Sequence, residues 1–490
     1  MPTVVALCLL ALCFVSFAFT KQVTLRPRTK TGMWFLDAGL GKASVRNPHQ
    51  YETWLVDETT ATYMMERYSE HVEVVHDQEP HMVSMRVAAM TRTPNLQPPE
   101  DVEDAVPNPF DGYSGPETIN SEVSSIALSP NFHGTVINVG SSHMGIPVRG
   151  VCFSRCKGAC GPRPRIALLG GIHGDEVVGN EILLHLIRHL VAYGSQNARL
   201  SALLDKIDLT VVPMINPDGF TLGTRNTSQN YDLNRSFYPD RCNTTQGIPK
   251  EVVTEVENLK TFLRSSQFDA VVFMHGGALV VSTPYDDECT AHGRRIAARG
   301  PEDKLYTYMG RAFADANSMI RWNRMLSNGV KNGAEWYSIQ GSAQTYALLH
   351  TTAVLVLTFE ISSSKTPPFS EIQRTYWNAN LPALLDFLEH VQMGLYLTVK
   401  YPDGEPVYGV NVNIATNRLA PVRLLSENAE REGKTVRTRA DGSAFRMLPP
   451  GVWTILITHP GNTGVTRQIV ITESQPIARI DLVIERVIIR

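Results

Sequence analysis

Four continuous apolar runs punctuate the middle of the chain: Arg165–Ile172 (RIALLGGI), Ile207–Ile215 (IDLTVVPMI), Ala270–Met274 (AVVFM) and Ala353–Phe359 (AVLVLTF). Because they do not alternate with polar residues, they read as strands buried on both faces, the pattern of a parallel sheet. Val177–Tyr193 carries an apolar stripe at Leu183, Leu186, Ile187, Leu190 and Val191, and Glu251–Leu263 is also amphipathic, so both are predicted as helices. Strands alternating with helices predict an α/β sheet. Each run ends against residues able to do chemistry: His173 after the first, Asn216 and Asp218 after the second, His275 after the third, Glu360 after the fourth. Open sheets of this kind bind ligands outside the carboxyl ends of their strands, so these residues mark the predicted site.

From Gly394 the period changes to two, at Leu395, Leu397 and Val399 and again at Val410, Val412 and Ile414, with turns at Pro402-Asp403-Gly404 and Asp441-Gly442. This predicts a small all-β domain over residues 394–490. Pro94–Pro116 holds six prolines and little apolar periodicity, which reads as an exposed loop or insertion within about 80–122. Residues 21–47 contain six Lys or Arg and one Asp, so 19–47 is taken as an arm or pro-segment. The catalytic domain is expected over 48–393.

Composition narrows the function. At 490 residues, 43% hydrophobic and 19% charged, the chain is an ordinary folded protein with room for two or three domains. Forty-five basic against 48 acidic residues leave a net charge of -3, too balanced for a broad nucleic-acid surface. Residues 4–19 are apolar and uncharged, shorter than the roughly 20 residues a spanning helix needs. With Ser16 and Ala18 they read as a signal peptide, 1–18, and predict a secreted or secretory-lumen protein with no transmembrane anchor. Once Cys8 and Cys13 leave with it, five cysteines remain, and two disulfides plus one thiol are expected. Asn226-Thr-Ser and Asn243-Thr-Thr match the glycosylation pattern, with Asn243 favoured because Asn226 adjoins Arg225.

The candidate chemistry is metal-assisted. His173-Gly-Asp-Glu176 and His275 together offer two nitrogens and a carboxylate, a catalytic zinc set whose fourth position takes a water acidified towards about 7. Glu360, an acid at the end of an apolar run, is the candidate general base. Arg225 and the Asp232-Leu-Asn-Arg235 run concentrate guanidinium and amide donors suited to a carboxylate and an oxyanion. His185 and His189 lie four apart, but Leu186 stands where a zinc helix needs Glu, so they read as a surface or core-edge pair.

Six ordered motifs carry a resemblance: His173-Gly-Asp-Glu176-Val-Val-Gly, Asn216-Pro-Asp-Gly219, Asp232-Leu-Asn-Arg235-Ser-Phe, His275-Gly-Gly-Ala-Leu-Val-Val, Asn332-Gly-Ala-Glu-Trp336-Tyr and Thr358-Phe-Glu360-Ile-Ser. The chain resembles the zinc metallocarboxypeptidases, and within them the regulatory branch of carboxypeptidases E, N, M and D. The resemblance implies a mixed, mainly parallel central sheet flanked by helices, followed by a transthyretin-like β sandwich that serves folding or partner binding. It implies one zinc ion on His173, Glu176 and His275, Glu360 as general acid/base, and Asp232 behind His173. It further implies Arg225 on the scissile carbonyl, Asn234, Arg235 and Tyr346 on the substrate's terminal carboxylate, and Asp286 as receiver of a Lys or Arg side chain. Release of C-terminal Lys or Arg from peptides and proteins is therefore expected. The alternatives are a catalytically silent peptide-binding homologue and an amidase acting on acylated amino acids. Asp175, where the branch usually has Asn, places an extra acid beside the metal.

Overall fold

A computed structural model describes residues 110–155, 161–243, 247–289, 295–415, 433–460 and 464–486, together with four strands before them. Those strands, β1 (Gln22–Pro27), β2 (Val45–Arg46), β3 (Trp54–Asp57) and β4 (Val72–Gln78), form an antiparallel sheet of order β2-β3-β1-β4. The predicted arm at 19–47 thus contributes two strands to it. The expected signal peptide, Cys156 and Cys160, and residues 80–109 of the expected insertion lie outside the described residues.

An eight-stranded mixed sheet forms the centre of the α/β domain. Its strands are β5 (Gly134–Ser141), β6 (Pro147–Phe153), β7 (Arg165–Gly170), β8 (Asp208–Val212), β9 (Ala270–His275), β10 (Ala278–Thr283), β11 (Val330–Asn332) and β12 (Leu355–Ser362), in the order β11-β10-β12-β9-β7-β8-β6-β5. The central pairs β12/β9, β9/β7 and β7/β8 are parallel, while β10/β12, β6/β8 and β5/β6 are antiparallel. All of β9 and β12 is buried, which explains why their sequences are unbroken apolar runs. Helices flank the sheet: Val177–Tyr193 buries nearly the whole of its first three turns, and Phe313 of helix Asp303–Ala316 stacks on Phe359 of β12 at 3.8 Å.

One expectation needs correcting. The stretch predicted as an exposed insertion ends in packed structure: Phe110 and Tyr113 are buried, and helix Pro116–Ile126 buries Ile119 and Val123. Proline at the first helical position starts a helix at no hydrogen-bond cost, and an i, i+4 apolar pair is enough to seat one face.

The C-terminal sequence forms two small sheets, as the period-two pattern requires. β13 (Gly394–Lys400) lies between β16 (Ser443–Met447) and β19 (Ile477–Val483); β14 (Asn411–Ala415) lies between β15 (Val436–Arg437) and β17 (Gly451–Thr458), with β18 (Val465–Ile471) at the edge. This architecture is consistent with a transthyretin-like domain. Buried charges tie it to the α/β domain. Arg439 donates to Asp269 Oδ2 (2.7 Å) and the Arg163 carbonyl (3.0 Å), Arg446 pairs with Glu302, and Lys434 Nζ donates to the carbonyls of Leu348 and Ala353.

Candidate metal centre and active site

Parallel pairing builds the site. His275 is the last residue of β9, and the β9/β12 register places Glu360 directly beside it. The neighbouring β7 ends at Gly170, and the turn that follows carries His173 and Glu176 into helix Val177–Tyr193. Gly174 is obligatory in that turn, because a Cβ there would stand 2.1 Å from the carbonyl carbon of Gly219. The Gly174 N–H donates to the Arg225 carbonyl (3.2 Å), which fastens the Arg225 loop to the same corner.

His173, Glu176 and His275 are 2–4% exposed, and one ligand atom from each lies within 4.8 Å of the others. His173 Nε2 sits 3.1 Å from Asp232 Oδ1. A carboxylate there keeps the proton on Nε2 and turns the Nδ1 lone pair inward. Nδ1 is buried without a hydrogen bond, yet lies 3.0 Å from Glu176 Oε1, the geometry of two atoms aimed at a common point. His275 Nδ1 lies 2.9 Å from Glu176 Oε2. Two imidazole nitrogens and a carboxylate, one nitrogen orphaned, fit a zinc ion with an open fourth position.

The electrostatics follow from burial and these contacts. Burial works against the Glu176 carboxylate, but the hydrogen bonds and charge of His173 and His275 hold its pKa far below the usual range. Burial likewise opposes Asp232, and His173, Arg225 and Arg235 more than compensate. Glu360 is the reverse case. Burial first, then the nearby Glu176 charge, push its carboxyl well above the ordinary range, and its Oε2 has no hydrogen bond. The extra acid, Asp175, is neutralised: Lys365 Nζ lies 2.9 Å from Asp175 Oδ2 and 3.3 Å from Glu176 Oε1.

Arg225 donates Nε to Asp232 Oδ2 (2.9 Å) and Nη1 to Glu176 Oε1 (2.9 Å). Asn234 Oδ1 accepts from the Ala343 N–H at the start of helix Ala343–His350 (2.9 Å), and Arg235 Nη1 donates to the Asn234 carbonyl (2.8 Å). Asp286 is 6% exposed. Its Oδ1 accepts from Gln344 Nε2 (2.7 Å), and the hydroxyls of Ser342 and Ser282 also donate to the carboxylate. Burial first, then the Asp287 charge, raise its pKa to about 6. Gly333 forms the adjoining wall, since a Cβ there would stand 2.0 Å from Asp286 Oδ1.

Tyr346 does not join this group. It is 3% exposed, packs on Phe237 (5.6 Å) and His350 (4.6 Å), and lies under Lys260 and Arg264. The tyrosine at the site is Tyr337, 41% exposed, whose hydroxyl feels Glu360, Arg235, Asp286 and Arg225 and whose pKa is raised to about 12, by burial first and then by Glu360. Its signal was present in the Trp336-Tyr337 motif. Gln344 and Lys365 were also missed, having no local pattern of their own. His185 and His189 pack edge-on against Trp377, at 5.5 and 5.7 Å. Cys242 and Cys289 form a disulfide and Cys152 is a free thiol.

A mixed α/β sheet with a buried two-histidine, one-carboxylate centre and a carboxyl group beside it is an arrangement suited to holding a zinc ion. The family model described as zinc carboxypeptidase (peptidase M14) matches residues 123–383, more than half of the chain, which therefore belongs to the zinc carboxypeptidase family. Carboxypeptidase Z of Mus musculus is 30% identical over 347 residues, covering 63% of this chain and 50% of that protein. Carboxypeptidase M of Mus musculus is 28% identical over 331 residues, covering 64% and 70%. The chain thus spans about half the length of carboxypeptidase Z. The crystal structure of a carboxypeptidase A from Helicoverpa armigera superposes with a TM-score of 0.47 at 14% identity, covering 76% of this chain and 97% of that one.

Proposed function

We propose that this protein is a zinc-dependent carboxypeptidase of the secretory route that releases C-terminal Lys or Arg from peptides. The observation that carries the specificity is Asp286, a buried carboxylate whose hydrogen-bond donors are neutral and whose pKa stays raised despite the Arg235 charge. A buried anion without a cation is costly, and a substrate guanidinium or ammonium relieves that cost where a neutral side chain cannot. The Cys242–Cys289 disulfide supports an oxidising compartment. Among the described residues, no helix is long and apolar enough to cross a membrane.

Held by His173, Glu176 and His275, zinc supplies a Lewis acid and an acidified water. Glu360 takes the proton of the attacking water and delivers it to the departing amide nitrogen, so one carboxyl group serves as base and then as acid. Arg225 Nη2 donates to the scissile carbonyl oxygen as negative charge develops on it. Asn234 and Arg235 hold the terminal carboxylate, which restricts cleavage to the last residue. We assign Tyr337, rather than Tyr346, as the phenol that contacts substrate over the site. Glycosylation at the exposed Asn243 accords with the same route.

The test is release of C-terminal residues from peptides ending in Arg, Lys, Phe, Leu and Glu, with and without chelator. Chelator-sensitive release of Arg and Lys supports the reading. Release of apolar residues sinks the role of Asp286. No release, with tight binding of the Arg peptide, makes the chain a silent binding homologue, and hydrolysis of acylated amino acids alone makes it an amidase.

A further inference from the structure

Two loops far apart in sequence meet at Asp287, the residue after Asp286. One, residues 236–243, continues from Arg235; the other, residues 284–289, continues from β10. Cys242 and Cys289 join them covalently across a sequence separation of 47. Beside the disulfide, Arg241 Nε donates to Asp287 Oδ1 (3.1 Å) and Nη2 to the Asp287 carbonyl (3.4 Å), while its guanidinium lies 4.6 Å over the Tyr285 ring.

Asp286 and Asp287 are consecutive and both buried, at 6% and 1% exposure, but their surroundings divide sharply. Asp286 meets Gln344, Ser342, Ser282 and the bare Cα of Gly333, all uncharged. Asp287 meets the cation, and one of its carboxylate oxygens lies within 4.8 Å of both disulfide sulfurs. Its Oδ2 is buried without a hydrogen bond. Asp287 therefore depends on Arg241 for its charge compensation, and Arg241 is held in place by the covalent bond at the next residue. The loop's other hydrogen bonds run mostly through its main chain: Asn332 Nδ2 to the Pro284 carbonyl, Tyr285 N–H to the Ala298 carbonyl, Ala334 N–H to the Tyr285 carbonyl, Asp286 N–H to Thr345 Oγ1, Ile339 N–H to the Asp286 carbonyl and Glu288 N–H to Ser338 Oγ, so the disulfide is its covalent anchor among them.

We propose that Arg241 and the Cys242–Cys289 disulfide act together as a brace that occupies Asp287 and fixes the 284–289 loop, so that the pocket offers a substrate cation one open anion, Asp286. They are positioning residues that set specificity, and the inference rests on the role given to Asp286 above. Without the brace, two adjacent buried carboxylates face each other's charge and that of Asp240, with Arg235 acting on Asp286 but no partner left for Asp287. One then takes up a proton, and the loop that aims Asp286 loses its covalent anchor.

The experiment compares wild type, Arg241→Gln, Arg241→Lys and the Cys242→Ser/Cys289→Ser double variant on two peptides differing only in a final Arg or Leu, with zinc content measured for each. We expect KM for the Arg peptide to rise at least about tenfold in Arg241→Gln and the double variant, the scale of weakening one charge-assisted hydrogen bond. Turnover at saturation, zinc content and Leu release stay near wild type, and Arg241→Lys recovers part of the loss because it keeps the charge but not the fork. An unchanged ratio of Arg to Leu release in both variants overturns the brace.

If either variant does not fold, the Glu360→Gln protein is titrated with the Arg peptide by calorimetry before and after reduction with a phosphine, which converts the disulfide to two thiols and is itself oxidised. Equal dissociation constants overturn the proposal. The two readings fail separately. Wild type that releases Leu in preference to Arg sinks the role of Asp286, whereas Arg release with selectivity intact in every variant sinks the brace alone.

Discussion

Asp286→Asn removes one charge from the floor of the pocket and exchanges function for stability. In the folded protein the Asp286 carboxyl titrates at about 6 against a reference of 3.8, chiefly because it is buried. At about 1.4 kcal/mol per unit the difference amounts to about 3 kcal/mol. The sign follows from proton counting. Between 3.8 and about 6 the native protein holds a proton that the unfolded chain has released, so native stability falls as pH rises through that window. Above it the full cost is present, and below it none is.

Asn has no charge to bury, so the variant should be more stable than wild type near pH 7.5, by up to about 3 kcal/mol, and nearly equal to it near pH 4. That figure is an upper bound. Asn keeps one oxygen for Gln344 Nε2 but turns an NH2 towards Ser282 and Ser342, whose hydroxyls must rotate to accept from it. Urea unfolding of both proteins at both pH values measures the effect, and taking variant minus wild type cancels the contribution of the metal. In parallel, kcat/KM for Arg and Lys peptides should fall by about 10- to 150-fold, the span of a hydrogen bond to a charged group. A variant less stable than wild type at the higher pH, or a stability difference independent of pH, refutes the account of Asp286 as an uncompensated buried anion.

Three further outcomes are expected. Glu360→Gln should lower kcat by roughly 10²- to 10⁴-fold, the range for loss of a general acid/base, with zinc content unchanged; activity close to wild type would assign the proton transfer elsewhere. Asp232→Asn should weaken zinc binding by about 10- to 100-fold in a chelator competition, because it removes the negative charge behind His173 and turns an NH2 towards the Arg225 Nε–H; an unaltered affinity would show that His173 needs no such charge. Lys434, whose pKa burial lowers to about 7, loses its proton in the native protein well before the unfolded chain does, so native stability rises with pH between about 7 and 10.5. Lys434→Met should therefore gain stability relative to wild type as pH drops from about 9.5 to 6, and a pH-independent difference between the two would contradict this.

Much of the architecture was legible in the chain. β9 and β12 are mainly apolar up to the polar residues at their ends because both of their faces are covered, and that is visible without coordinates. The metal ligands were legible for a related reason: each sits where a buried strand or its turn ends, so a polar residue there stands out against its neighbours. Tyr337 and Tyr346 were not separable in this way. Tyr337 closes the Asn332-Gly-Ala-Glu-Trp336-Tyr motif and Tyr346 lies nine residues on, and helix Ala343–His350 decides that the Tyr346 ring enters the core while Tyr337 stays exposed. The helix at Pro116–Ile126 was hidden for the opposite reason, since the prolines before it dominated the local pattern.

Sequence alone therefore determined the four central strands but not the four that extend the sheet on either side, along with the change to a β domain at Gly394 and the chemical identity of the metal centre, because periodicity and residue type are local properties. The tertiary structure decided the pairings: Lys365 with Asp175, Arg241 with Asp287, Gln344 with Asp286, and Arg446 with Glu302. A charge in a sequence has no fixed cost. Whether it is neutralised, or left open for a substrate, depends on which distant residue the sheet brings within about 3 Å of it, a distance at which burial turns a modest attraction into a strong one.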